Sequence, residues 1–219
     1  MIKLGNRNTA ITYHDEETFH YRRKSSRELI SHVASACDIR DQKIMGHLSR
    51  VQELTKMLIK AYNRNREVLN KDYYNSIADS SILHDIGKAR IPVEILYKTG
   101  ELDHSERNMM NMHPIIGAAM FKEKTFRVLY CDNLVLKVAE NIILYHHERW
   151  DGTGYPYNLK GYEIPLEARI VAIADSYDAL TNDRSYKKAW SKEKTLQYIY
   201  EQKGKQFDPD ITEVFLEVI

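Results

Sequence analysis

Two cysteines in 219 residues cannot build a disulfide framework or a thiolate metal site, and Cys37 and Cys131 stand at no ligand-like spacing. They read as packed, reduced thiols. No apolar run approaches the roughly 20 residues that span a bilayer, and the first residues carry no apolar segment of the signal-peptide type. The chain is therefore expected to be cytoplasmic. An excess of one charge is also missing. The 32 Lys and Arg against 31 Asp and Glu leave a net +1, so no overall field favours nucleic acid or a membrane surface. Alternating polar and apolar stretches of useful length are absent too, which leaves helices to bury a chain that is 43% hydrophobic.

What is present is helical periodicity from about residue 25 onward. Ile44, Leu48, Val51, Thr55 and Leu58 recur at steps of three and four between Asp41 and Tyr62. A second helix is expected from about Asp72 to Asp85, with Ile77, Ala78 and Leu83 inward and Gly87 near its end. IPVEIL (91–96) reads as a turn or short helix. Asp103 and Glu106 form a capping-box variant at the start of the stretch 103–121, and Pro114 should break or kink that stretch beside His113. The most apolar helix is NLVLKVAENIILYHH (133–147), followed by LEARIVAIADSYDAL (166–180) and two C-terminal helices in SKEKTLQYIYEQ and DITEVFLEVI. The expected class is all-α. Residues 1–39 read as an N-terminal extension, partly helical, whose basic run YRRK with Arg27 is a solvated charge cluster. Residues 40–219 read as one domain.

The nine histidines divide by surroundings. His14, His20, His32 and His104 lie in polar sequence and belong at the surface. His47, His84, His113, His146 and His147 lie on or beside apolar helical faces, where an imidazole needs a partner or a metal. Asp85 adjoins His84, and Asp175 ends the apolar run RIVAIAD. Singly, each residue has an ordinary explanation. Together, five histidines and two aspartates on the inner edges of several helices form a costly arrangement unless a cation compensates it. Neighbouring helix positions diverge by about 100°, so His84–Asp85 and His146–His147 suit two metal ions better than one tetrahedral centre. Two cations about 3.5–4 Å apart can clamp a phosphate. Asp85 is the candidate bridge, and mixed imidazole and carboxylate ligands favour Fe or Mn.

The motifs HDIGK (84–88), HHERWDGTGYP (146–156) and IPLEARIVAIADSYDALTNDRSY (164–186) resemble the HD-GYP family of the HD phosphohydrolase superfamily. Agreement extends through KTGELDHSE (98–106), MHPIIG (112–117) and FDPDI (207–211), covering about residues 40 to 219. The resemblance implies a helical bundle of the HD-domain type, with two additional C-terminal helices, that hydrolyses cyclic di-GMP through metals. By motif, the implied ligands are His47, His84, Asp85, His113, His146, His147 and Asp175. Lys88 matches the lysine that faces the substrate phosphate, so Lys88 and Asp85 are the implied catalytic residues. Tyr155, Arg184 and Lys187 match positions that contact the cyclic dinucleotide. These roles are chemically sensible: Lys and Arg stabilise charge developing on a diester phosphate, and a Tyr presented on the Gly152/Gly154 turn can stack on guanine.

The resemblance is incomplete at one position. Some family members place a glutamate four residues before the counterpart of His47, where it helps to hold a third metal; here that position is Lys43. A protonated Lys repels a cation, so two metals are expected rather than three, with linear pGpG as the product. The competing readings are a catalytically weak receptor that binds the messenger and signals through a protein partner, and a phosphohydrolase of another nucleotide. A protein partner or a homodimer is compatible with the sequence; nucleic-acid and membrane partners are not expected.

Overall fold

A computed structural model of the protein describes residues 42–64, 70–122, 133–183 and 188–219. The N-terminal extension, both cysteines, Arg184 and Lys187 lie outside the described residues, as does the side chain of Lys43.

The helices follow the apolar periodicity. α1 (Gln42–Arg64) buries Leu48, Val51, Thr55 and Leu58. α2 (Lys71–Ser80) starts at Asn70, whose side chain accepts the Tyr73 N–H at 2.8 Å. The short α3 (Val93–Leu96) and α4 (His104–Met110) follow, the latter opened by the expected capping box of Asp103 and Glu106. The chain breaks before Pro114, which sits in the first turn of α5 (His113–Phe121), where its missing N–H costs nothing. α6 (Asn133–Tyr145), α7 (Leu166–Thr181), α8 (Lys192–Glu201) and α9 (Pro209–Val218) complete the fold. Among the described residues there are no strands, only one isolated bridge between Lys203 and Phe207. No described helix is long and apolar enough to cross a membrane.

α1 packs on α7 and α9, and α2 packs on α6. One apolar cluster joins Val51, Leu58, Ile77, Ile142, Ile170 and Ile173 to Phe207 and Phe215 of the C-terminal segment. A second gathers Leu48, Ile82, Leu83, Ile86, Phe121 and Ile143. Each such side chain contributes about 1.5–3 kcal/mol when fully buried. Buried Glu167 ties three helices together, accepting the Tyr73 hydroxyl at 2.5 Å and the Asn141 amide at 2.6 Å.

The second helix departs from its expected course. The α-helix stops at Ser80 rather than reaching Asp85, and the chain tightens into 3-10 turns at Ser81–Leu83 and Ile86–Arg90. Serine hydroxyls compete with the backbone for helical carbonyls. Here the Ser81 hydroxyl donates to the Ala78 carbonyl at 2.8 Å, and Ser81's own carbonyl receives the His84 N–H at 3.4 Å. The tightened turn then meets α5 backbone to backbone. A Cβ at Gly87 would lie 2.0 Å from the His113 carbonyl oxygen and 2.5 Å from the Gly117 nitrogen.

Gly87→Ala is therefore expected to push α5 away and lower the unfolding free energy by about 1–3 kcal/mol. Urea unfolding measures this, and an unchanged midpoint would show that α5 can retreat freely.

Candidate metal centre

Five segments converge on one group of side chains. His47 comes from α1, His84 and Asp85 from the turn between the 3-10 segments, and His113 from the first position of α5. His146 and His147 follow the end of α6, and Asp175 comes from α7. Three of the rings are anchored to carbonyls of the preceding turn. His84 Nδ1 bonds the Ser81 carbonyl at 2.8 Å, His113 Nδ1 that of Met110 at 2.8 Å, and His146 Nδ1 that of Ile142 at 3.0 Å. A carbonyl only accepts, so each Nδ1 carries the proton and, in the neutral ring, each Nε2 keeps its lone pair.

Those Nε2 atoms surround Asp85. Its Oδ1 lies 3.3 Å from His113 Nε2 and 3.8 Å from His146 Nε2. Its Oδ2 lies 3.4 Å from His84 Nε2, 3.9 Å from His47 Nε2, and accepts Lys88 Nζ at 2.6 Å. Asp175 Oδ1 is 3.4 Å from His47 Nε2 and 3.8 Å from His84 Nε2. The donor atoms fall into two sets that share Asp85, one with His113, His146 and His147, the other with His47 and His84. His47 Nε2, His84 Nε2 and Asp85 Oδ1 are buried without a hydrogen-bond partner. Buried polar atoms in this state are costly, and lone pairs directed at a common space fit a divalent cation.

The electrostatics agree with that fit. Burial would raise the Asp85 carboxyl, but Lys88 and His84 hold it well below the carboxylate range. Burial would depress His84, but Asp85 and then Asp175 raise it above the ordinary imidazole value. Burial takes His113 down to about 3. His147 is pushed well below the usual value by burial and by His146 and His113. His113 and His147 are therefore neutral near pH 7, the form that binds metals.

The GYP turn stands against this cluster. The Tyr155 ring stacks on His147, with centroids 4.8 Å apart and 23° between planes, so one of its faces is already covered. Burial, with Asp85 and Asp175 adding to it, pushes the Tyr155 hydroxyl up, which keeps it a donor at neutral pH. Gly152 has φ 83°, as the expected turn requires, whereas Gly154 serves close approach: a Cβ there would lie 2.3 Å from the Arg149 nitrogen.

Three residues at the site escaped the sequence reading. Buried Glu148 accepts the Tyr157 N–H at 2.7 Å and the Leu159 N–H at 3.0 Å, fixing the loop that carries Tyr155. Buried Asp178 bonds His47 Nδ1 at 2.7 Å and Arg50 at 2.5 and 3.0 Å. Burial opposes its ionisation, and the bonds with His47 and Arg50 outweigh it, holding the carboxyl below its usual range. The available signal was spacing, since Asp175 and Asp178, like His47 and Arg50, are three apart on one helix face.

A model of the HD domain matches residues 33–211. The chain belongs to the HD domain family. It is 35% identical over 217 residues to the 3'3'-cGAMP-specific phosphodiesterase 2 of Vibrio cholerae, covering 99% of this chain and 39% of that protein. It is 38% identical over 190 residues to the cyclic di-GMP phosphodiesterase response regulator RpfG of Xanthomonas campestris, covering 87% of this chain and 47% of that protein. The HD chain thus spans less than half the length of either relative. Among solved structures, Bd1817, a HDG"Y"P protein from Bdellovibrio bacteriovorus, aligns over 92% of this chain and 63% of its own. Its TM-score of 0.60 at 20% identity shows the shared helical fold.

If the HD cluster holds divalent metal, cation binding to the folded state adds stability, about 2.7 kcal/mol when free metal is a hundredfold above its Kd. A chelator is expected to lower Tm. Asp85→Asn, which removes the charge shared by both sets, is expected to abolish most of that metal-dependent increment. Thermal unfolding with and without Mn2+ reads both, and an increment unchanged in Asp85→Asn would remove Asp85 from the ligand set.

Proposed function

We propose that the chain is a metal-dependent cyclic dinucleotide phosphodiesterase acting in the cytoplasm, with cyclic di-GMP as first substrate and linear pGpG as product. The observation that carries this reading is Asp85, shared between two ligand sets while its Oδ2 also holds Lys88 Nζ at 2.6 Å. His47, His84, Asp175 and Asp85 would hold one cation, and Asp85, His113, His146 and His147 the other, with Fe or Mn matching the donors. When bound, such a pair polarises the phosphate and lowers the pKa of water.

The chain's own groups do the rest. Asp85 holds the Lys88 amine beside the ligand sets, where its remaining donors can meet a non-bridging phosphate oxygen as charge develops there. Tyr155 supplies a protonated hydroxyl and one ring face, and Glu148 keeps the loop that presents them from shifting. Arg184 and Lys187 are proposed to contact the dinucleotide. Aromatic stacking tolerates any base, so Tyr155 does not choose between guanine and adenine, and discrimination must come from groups that hydrogen-bond the base edges. The relatives named for cyclic di-GMP and for 3'3'-cGAMP, at 38% and 35% identity, make 3'3'-cGAMP the second candidate.

Protein purified anaerobically and loaded with Fe or Mn, then given each dinucleotide separately, tests this by chromatography of the products. The expected result is conversion of cyclic di-GMP to pGpG with two cations per chain. Lys88→Ala is expected to reduce turnover by about 100-fold, and Arg184→Ala to raise KM at unchanged metal content. Metal-loaded protein that cleaves neither dinucleotide overturns the reading.

A further inference from the structure

His47 is oriented differently from its neighbours. His84, His113 and His146 each direct Nδ1 at a main-chain carbonyl three or four residues earlier, so the backbone sets their tautomers. His47 instead directs Nδ1 at a side chain on another helix, the Asp178 carboxylate of α7, at 2.7 Å. That carboxylate is 2% exposed and saturated. Its Oδ2 also accepts Arg50 Nη2 at 3.0 Å, and its Oδ1 accepts Arg50 Nε at 2.5 Å and Asn182 Nδ2 at 3.0 Å. An ionised carboxylate has about four acceptor sites, and here each meets a donor. Arg50 therefore fixes the plane of Asp178, and Asp178 fixes the ring of His47.

We infer that Asp178 and Arg50 are a positioning pair that keeps His47 in the Nδ1–H tautomer, with its Nε2 lone pair turned to the metal site. The inference rests on the cluster being a divalent metal centre. A carboxylate behind a ligating imidazole locks the ring and makes its free nitrogen a better donor. The effect falls on one half of the centre. The set of His47, His84 and Asp85 depends on Asp178, whereas Asp85, His113, His146 and His147 do not contact it. With the acceptor removed, His47 can take the Nε2–H form that free histidine favours in water, and the lone pair needed by the cation is lost.

Two readouts test the pair. Long-range 1H–15N spectra of metal-free protein, above the imidazole titration range, report the His47 tautomer directly. Mn2+ titration by calorimetry reports each bound equivalent. Wild type is expected to show Nδ1–H at His47. Asp178→Ala is expected to shift it towards Nε2–H and to weaken one equivalent by about 10–100-fold, leaving the other in place. Asp178→Asn, which keeps one oxygen to accept from His47, should recover part of the loss. Arg50 is 45% exposed in its side chain, so Arg50→Ala leaves the core intact and should weaken the same equivalent by a smaller factor. His47 remaining Nδ1–H in Asp178→Ala, or wild-type affinity at both equivalents in Asp178→Ala and Arg50→Ala, overturns the positioning role. A wild-type protein that binds no divalent cation overturns the metal reading and the inference with it. The tautomer spectra separate the two failures.

Discussion

One carboxylate surrounded by imidazoles organises this structure. Asp85 faces four Nε2 atoms at 3.3–3.9 Å, and among the described residues Lys88 makes its short hydrogen bond, at 2.6 Å. Such an arrangement persists only if the surrounding rings cannot turn away. For five of the seven candidate ligands (His84, Asp85, His113, His146 and His147), the fold supplies that restraint by ending or tightening helices at their positions. The 3-10 turn after Ser80 presents His84 and Asp85, the break before Pro114 presents His113, and the end of α6 presents His146 and His147. At each such place, a carbonyl of the preceding turn accepts an imidazole N–H. Helix ends and tightened turns therefore become the supports of those rings.

The legible part of the molecule is the part written in local sequence. Apolar spacing placed α1, α6, α7 and the two C-terminal helices to within a few residues, and Asp103 with Glu106 marked the start of α4. The candidate ligands were legible because histidines on apolar faces are expensive, and the structure brings all seven together. The end of α2 was misplaced because Ser80 and Ser81 look helical in a period count, while the Ser81 hydroxyl bond to Ala78 favours a tighter turn. Asp178, Arg50 and Glu148 were not legible for another reason. Their roles depend on which helices or loops lie opposite, and a charged residue on a helix or in a loop reads as surface until that packing is known.

Glu148 shows how the GYP turn is held. A buried carboxylate is costly unless hydrogen bonds compensate it, and this one takes two N–H groups from the far side of the loop. Burial raises its pKa above the usual carboxylate value, although the loop N–H groups pull it down. The loop thus folds around an anion that follows His146 and His147 directly in sequence. Displacing the loop would strand Glu148 as well as uncover His147, so Tyr155 and the histidine pair are mechanically one unit.

Folding and metal loading are therefore related but separable. The two apolar clusters bury residues such as Phe207, Phe215, Leu83 and Ile143 completely or nearly so, and that burial does not depend on a cation. Yet His47 Nε2, His84 Nε2 and Asp85 Oδ1 are buried with no hydrogen-bond partner from the protein, and each such atom costs about 1–3 kcal/mol when nothing else meets it. Such a cost is not relieved by turning the two rings concerned, because His84 Nδ1 is tied to the Ser81 carbonyl and His47 Nδ1 to Asp178. It is relieved by a cation, or by a proton entering among the rings. Cation and proton compete for the same lone pairs. The cost is concentrated at one point of the fold, and that point is where a divalent ion fits.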